Sequence, residues 1–392
     1  MQQSPESGAV PPLPPQIPPP LPPQWTTLRT GQRYTIPRPP GSGDALLLAR
    51  FAIEGKSAGR STVLVCADAL DAQRLAEELR VFAPTLSVCA FPDWETLPYD
   101  TISPHPDLVS ERLQALYRLS HGEGIDVLVT AATTALARLA PPEFLAGRSF
   151  FFRQGEDLDA DKLRDQMVLA GYQAVSQVVA PGEFAVRGGL IDLYPTGSAV
   201  PYRIDLADTL IDSIRAFDPD TQRSLYPVPE IRLLPGREFP FDEAARTAFR
   251  GRWRETFEGD PSRSPVYRDA GSGIASAGIE YYLPLFFERC ATLFDYLPAA
   301  ARIALHGDVA AACRQFRADT SERHRFLSRD VQRPCLDPDR LYLGTDDFFL
   351  ALKPYAQLAM GAGGSEEGIF AALPDLTVDR KAADPLHRLR HW

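Results

Sequence analysis

The residues best suited to chemistry stand at 41–45, in "GSGDA", where a glycine turn opens an apolar helical pattern just ahead of the β-rich run "STVLVC" at 61–66. Phosphate loops are built this way. Bare amides and a helix N-terminus cradle the phosphate, a lysine neutralises it, and a Ser or Thr hydroxyl holds magnesium. Gly41 and Gly43 retain the turn. When the spacing G-x-x-x-x-G-K-[ST] is aligned on Gly43, Arg38 replaces the first glycine, Asp44 replaces the lysine and Ala45 replaces the hydroxyl. An aspartate at that point repels a phosphate. A turn with a helix cap is therefore expected, and nucleotide hydrolysis is not.

Other candidates reduce to structure. "FDEAAR" at 241–246 has the look of a helicase acidic box, but "GREFP" precedes it instead of a buried strand. Asp242 and Glu243 are expected to be helix N-terminal carboxylates. His105, His121, His306 and His324 stand singly. His387 and His391 are four apart but lack a following glutamate and a third ligand. Asp346 and Asp347 fit a helix start with Thr345 as its cap. There is no G-x-S-x-G, and none of the five cysteines forms a C-x-x-C pair. No catalytic residue, metal site or cofactor is expected.

Recognition chemistry is better represented. "GEFAVRGGLIDLYP" (182–195) sets Arg187 before Gly188 and Gly189, and "PYRID" carries Arg203. A guanidinium is a planar fork that pairs bidentately with carboxylates and is enriched in interface hot spots. The glycines leave backbone bare for close approach by a partner. Alternation along the strand puts Arg203 and Asp205 on one face, Tyr202 and Ile204 on the other. The residues alone admit two readings: a docking edge, or arginines paired with Asp192 and Asp205 on a wet sheet face.

The elements that must position these residues follow from patterning. The 392 residues suffice for two or three domains. A net charge of −10 argues against bulk electrostatic adhesion to nucleic acid. Scattered cysteines, no signal-peptide pattern and no apolar run of about 18 residues suggest a cytoplasmic protein without a membrane partner. Residues 1–40 are proline-rich and expected to be a disordered tail. From 41 to 148, strands at 61–66, 86–91 and 125–130 alternate with helices at 68–82, capped by Asp68, and at 107–120, implying a parallel sheet. From 149 to 235, a helix ending at Gly171 and short runs at 172–179, 184–194, 201–206, 210–217 and 223–233 predict a small, mostly antiparallel α+β domain. From 236 to 352 the α/β pattern resumes, with a helix carrying Ala245, Phe249 and Trp253 on one face and strands at 292–297 and 302–306. Residues 353–392 read as a linker that ends abruptly. The predicted class is α/β: a parallel-sheet, degenerate phosphate-loop (helicase-like) domain split by an inserted α+β domain.

Four ordered segments, "FPDWETLPYDTISPHPDLVSERLQALYRL" (91–119), "GEFAVRGGLIDLYPTGSAVPYRID" (182–205), "IRAFDPDTQRSL" (214–225) and "AGIEYYLPLFFE" (277–288), resemble the N-terminal portion of the bacterial transcription-repair coupling factors (Mfd). The resemblance spans about 41–352, and the same region is similar to the excision-nuclease subunit UvrB. It implies that the inserted domain docks the damage-recognition ATPase UvrA. RNA polymerase, double-stranded DNA and ATP with magnesium would be engaged only by downstream domains. It also implies a first domain that kept the scaffold and lost nucleotide chemistry. "WETLPYDTISPHPD" is too short and too poor in aromatic residues to replace UvrB's DNA-wedging hairpin. Arg187 and Arg203 match the family's UvrA-contact positions. Ala207 falls where the family has an aromatic residue, with Leu206 as the neighbouring apolar candidate. The alternative is a UvrB-like ATP-dependent helicase acting alone. A third reading, masking of the docking face by the rest of a longer protein, concerns regions outside this sequence.

Overall fold

The computed structural model describes residues 28–361 and residue 384. The proline tract at 11–24 and the segment after Gly361, residue 384 apart but His387 and His391 included, lie outside the described residues. Strands β1 (Arg33–Pro37), β2 (Thr62–Cys66), β3 (Val88–Ala90) and β4 (Val127–Ala131) come first. Next come β5 (Phe150–Arg153), β6 (Gln173–Ala174), β7 (Glu183–Arg187), β8 (Leu190–Leu193), β9 (Tyr202–Ala207), β10 (Leu210–Phe217), β11 (Ser224–Pro227) and β12 (Glu230–Leu233). Last are β13 (Arg302–His306) and β14 (Ala356–Gly361).

The first and last groups make one parallel sheet in the order β1-β14-β13-β2-β4-β3. Its inner strands are almost entirely buried and mostly apolar because both faces are covered. Val63 and Val65 point into one core while Leu64 and Cys66 point into the other. Helices α1 (Gly43–Ser57) and α2 (Ala69–Phe82) cover the second of these faces, and α3 (Pro106–Ser120) covers the first. Asp68 caps α2 by accepting from the Leu70 and Asp71 amides, and Asp242 caps the helix Glu243–Thr256 by accepting from the Ala245 amide. The acidic pair at 242–243 is thus a helix start.

The middle strands make a second sheet, β11-β10-β9-β8-β7-β6, antiparallel except for β6 with β7, and a two-stranded ribbon of β5 with β12. The helix Ala160–Leu169 lays Leu163 and Met167 on one face of that sheet, against Phe184, Ile191, Leu193, Ile204, Ile211 and Ile214. The other face carries Asp192, Arg203 and Asp205 beside a small apolar cluster of Val178, Ala185 and Phe217. The second sheet is tied to α3: Gln114 Nε2 donates to the Gly197 carbonyl at 2.6 Å, and the Gly197 amide donates to Ser110 Oγ at 2.7 Å. Below, a buried Arg112–Glu238 pair (2.6 and 3.2 Å) joins α3 to the chain returning from β12. Trp94 Nε1 donates to the same carboxylate at 3.0 Å, and Arg112 donates to the Pro92 carbonyl at 2.7 Å.

Four expectations are corrected. Residues 33–37, assigned to the disordered tail, form β1, an edge strand whose terminal Pro37 is tolerated because one side of an edge needs no donor. Residues 356–361, assigned to the linker, form β14, inserted between β1 and β13. The segment 292–297, expected as a strand, is a helical turn at Leu293–Tyr296, because Thr292 and Asp295 close a capping box. Thr345 is the first residue of its helix and Gly344 the cap. No helix among the described residues is long and apolar enough to cross a membrane.

Candidate docking site

The polar face of the second sheet is organised by one carboxylate. Arg187 ends β7, Gly188 and Gly189 make the turn, and Leu190 opens β8, with Arg187 paired to Leu190. Positive φ at Gly188 (62°) but not at Gly189 fits a type II′ hairpin, whose twist suits the flanking strands. The register sets Asp192 directly across from Arg203 on β9 and diagonal to Arg187 on β7. Asp192 is fully buried. It accepts from Arg203 Nε at 2.6 Å and Nη2 at 3.0 Å, and also from Arg187 Nη2. Asp205 is engaged elsewhere, accepting from Ser213 Oγ at 3.1 Å.

The two arginines therefore differ. Arg203 is only 17% exposed. Its remaining Nη1 donates to the Gln222 carbonyl at 3.2 Å, and its guanidinium lies 4.9 Å from the centre of the Phe217 ring. The hydrogen bonds to Asp192 raise its pKa above the ordinary arginine value. Arg187 is 52% exposed and gives a single hydrogen bond to Asp192. Arg187 is the presented group; Arg203 is the internal one.

The glycines differ too. A Cβ on Gly189 would meet the Leu206 carbonyl oxygen at 2.9 Å, whereas one on Gly188 would meet nothing within 4 Å. Gly189 serves close approach by the protein's own β9, whose Leu206 amide donates to the Gly189 carbonyl at 2.8 Å. Both glycines are exposed, but only at Gly189 does the protein's own backbone also demand the missing side chain.

Ala207 is exposed at the end of β9. Leu206 does not replace the missing ring, because it packs on the opposite, helix-covered side. The exposed apolar side chain beside Ala207 is Leu210, directly across from it in the register and 44% exposed. Sequence reading missed it because the pairing of β9 with β10 decides which neighbour shares the face.

The 41–45 turn carries a second cluster. Asp44 is fully buried, and its charge is neutralised from within. It accepts from Arg74 Nη1 (3.1 Å) and Nη2 (2.7 Å), His306 Nε2 (2.9 Å), Arg38 Nε (3.2 Å) and the Ala45 amide (2.7 Å). Burial by itself would raise its pKa; hydrogen bonds from His306, Arg74 and Ala45 outweigh that and hold it well below the usual carboxylate range. His306, read from sequence as solitary, stands instead at the carboxyl end of β13 against Asp44. Gly41 has φ of 57° and keeps the turn; Gly43 packs against Pro39. Among the described residues no group of His, Cys, Asp or Glu has metal-site geometry.

Comparison with known proteins defines the class first: the model of the UvrB interaction domain matches residues 150–239, the region of the second sheet. The chain is 40% identical over 361 residues to the transcription-repair-coupling factor of Haemophilus influenzae, covering 90% of this chain and 31% of that protein. It is 39% identical over 373 residues to that of Escherichia coli, covering 93% and 32%. It is 31% identical over 254 residues to that of Bacillus subtilis, covering 60% and 21%. The chain belongs to the transcription-repair coupling factor family and corresponds to its N-terminal region. It spans about a third of the length of the first two relatives.

Proposed function

We propose that the chain serves transcription-coupled nucleotide excision repair by docking UvrA on the polar face of its second sheet. The observation that carries this is the half-exposed Arg187, held at a fixed angle by buried Asp192 inside the matched UvrB interaction domain. A pre-set cation beside the uncluttered Gly188 turn suits an acidic partner surface, and Leu210, exposed three strands away on the same sheet, adds an apolar contact at the far edge. Arg203 supports this face from below. In this reading residues 149–235 are an inserted docking domain. It interrupts a degenerate phosphate-loop domain made of 41–148 and 236–352. Catalysis is absent from the chain. The motor that uses ATP and magnesium, and the contacts to RNA polymerase and double-stranded DNA, belong to the rest of a longer protein.

Calorimetric titration of UvrA tests it. Arg187→Ala should weaken binding by roughly 1–3 kcal/mol while leaving the fold intact. Unchanged affinity would remove Arg187 from the interface. The competing reading, a UvrB-like ATPase, would require a phosphate where the Asp44 carboxylate sits. ATP binding by the purified chain in equilibrium dialysis would revive it.

A further inference from the structure

The Asp44 cluster has the composition of an anion site with an occupant already in place. Two guanidinium groups, one imidazole and one helix-terminal amide converge on a carboxylate that is 0% exposed. Asp44 sits in the first turn of α1, where amides and the helix dipole favour negative charge. His306 ends a central parallel strand, and open α/β sheets bind ligands outside the carboxyl ends of their strands. An ionised carboxylate only accepts, so His306 Nε2 must carry a proton and donate. Among the described residues the other ring nitrogen has no hydrogen-bond partner and stands 3.6 Å from Asp71 Oδ2. Arg74 and Arg38 are further steadied by Asp71, and Arg74 by Glu78. The two arginines are therefore fixed by a surrounding shell and do not depend on Asp44 alone for their positions.

We propose that Asp44 is a resident stand-in for phosphate. Its carboxylate occupies the point where Arg38, Arg74, His306 and the start of α1 would otherwise bind a tetrahedral oxyanion, and so keeps the site closed. This rests on reading 41–45 as a disarmed phosphate loop, not on the UvrA assignment. Loss of nucleotide chemistry then has two parts. The lysine is gone, and its replacement supplies the anion that the remaining cations require.

Thermal unfolding of the whole chain in inorganic phosphate, against chloride of equal ionic strength, tests the proposal. Asp44→Ala should lose stability in chloride and regain it saturably in phosphate, with a midpoint rise of about 2–4 °C at tenfold excess over Kd. Wild type, carrying its own anion, should show no such difference. Asp44→Ser, smaller than Asp and still polar in the first turn of the helix, should behave like Asp44→Ala and covers the case in which alanine does not fold. Adding Arg74→Ala should abolish the response. If neither single variant responds to phosphate, or the response survives loss of Arg74, the proposal is overturned. A phosphate response in wild type also overturns it. ATP binding by wild type would instead refute the disarmed-loop reading beneath it.

Discussion

Replacing Asp192 by alanine removes the carboxylate that holds both Arg187 and Arg203, and the structure gives the cost. Arg203 would lose the hydrogen bonds of 2.6 and 3.0 Å while remaining mostly buried. The Gln222 carbonyl, the Phe217 ring and the more distant Asp205 carboxylate would then face its charge. Removing one partner of a buried pair costs about 3–5 kcal/mol, because the other charge is left uncompensated. The Arg187 arm is half exposed and adds only about 0.2–1 kcal/mol. Asp192→Ala should therefore destabilise the second sheet several times more than Arg187→Ala. Denaturant unfolding followed by circular dichroism reads the difference, and hydrogen exchange at the β8 and β9 amides localises it. Arg203→Ala should be costly alone and should add little to Asp192→Ala, since both break one pair. If Asp192→Ala cost no more than Arg187→Ala, the division into a buried clamp and a presented cation would be wrong.

Gly189→Ala should destabilise by about 1–3 kcal/mol, because its Cβ would fall 2.9 Å from the fixed Leu206 carbonyl oxygen. Gly188→Ala should cost only about 1–2 kcal/mol of positive-φ strain, and the pair of unfolding midpoints checks the order. Arg112→Ala should cost about 3–5 kcal/mol by stranding buried Glu238, detectable as a large fall in denaturation midpoint. The Asp44 pKa is lowered on folding, so its contribution is fully present above the ordinary carboxylate value of about 3.9 and is lost as pH falls below it. Melting midpoints between pH 2 and 6 should therefore fall less steeply with acid in Asp44→Ala than in wild type, and equal slopes would contradict the assignment.

Several elements needed only local information. The β-rich, mostly apolar runs of β2 and β4 announce strands buried on both faces. Asp68 and Asp242 declare helix starts because a short carboxylate facing free amides acts within three residues. The Gly188-Gly189 turn marks a hairpin, and the motif at 41–45 lacks its lysine in the sequence itself. Tertiary structure decided what depends on partners distant along the chain. β1 reads as tail because prolines surround it, and it becomes a strand only by pairing with β14, more than three hundred residues later. Sequence names Arg187 and Arg203 alike; sheet register and burial make one a buried strut and the other a presented charge. It also names Asp44 as a repelling charge, whereas the fold brings Arg38, Arg74 and His306 around it and neutralises it from within. Local propensity is written in neighbouring residues, but the sign and exposure of a charge depend on what the fold places against it.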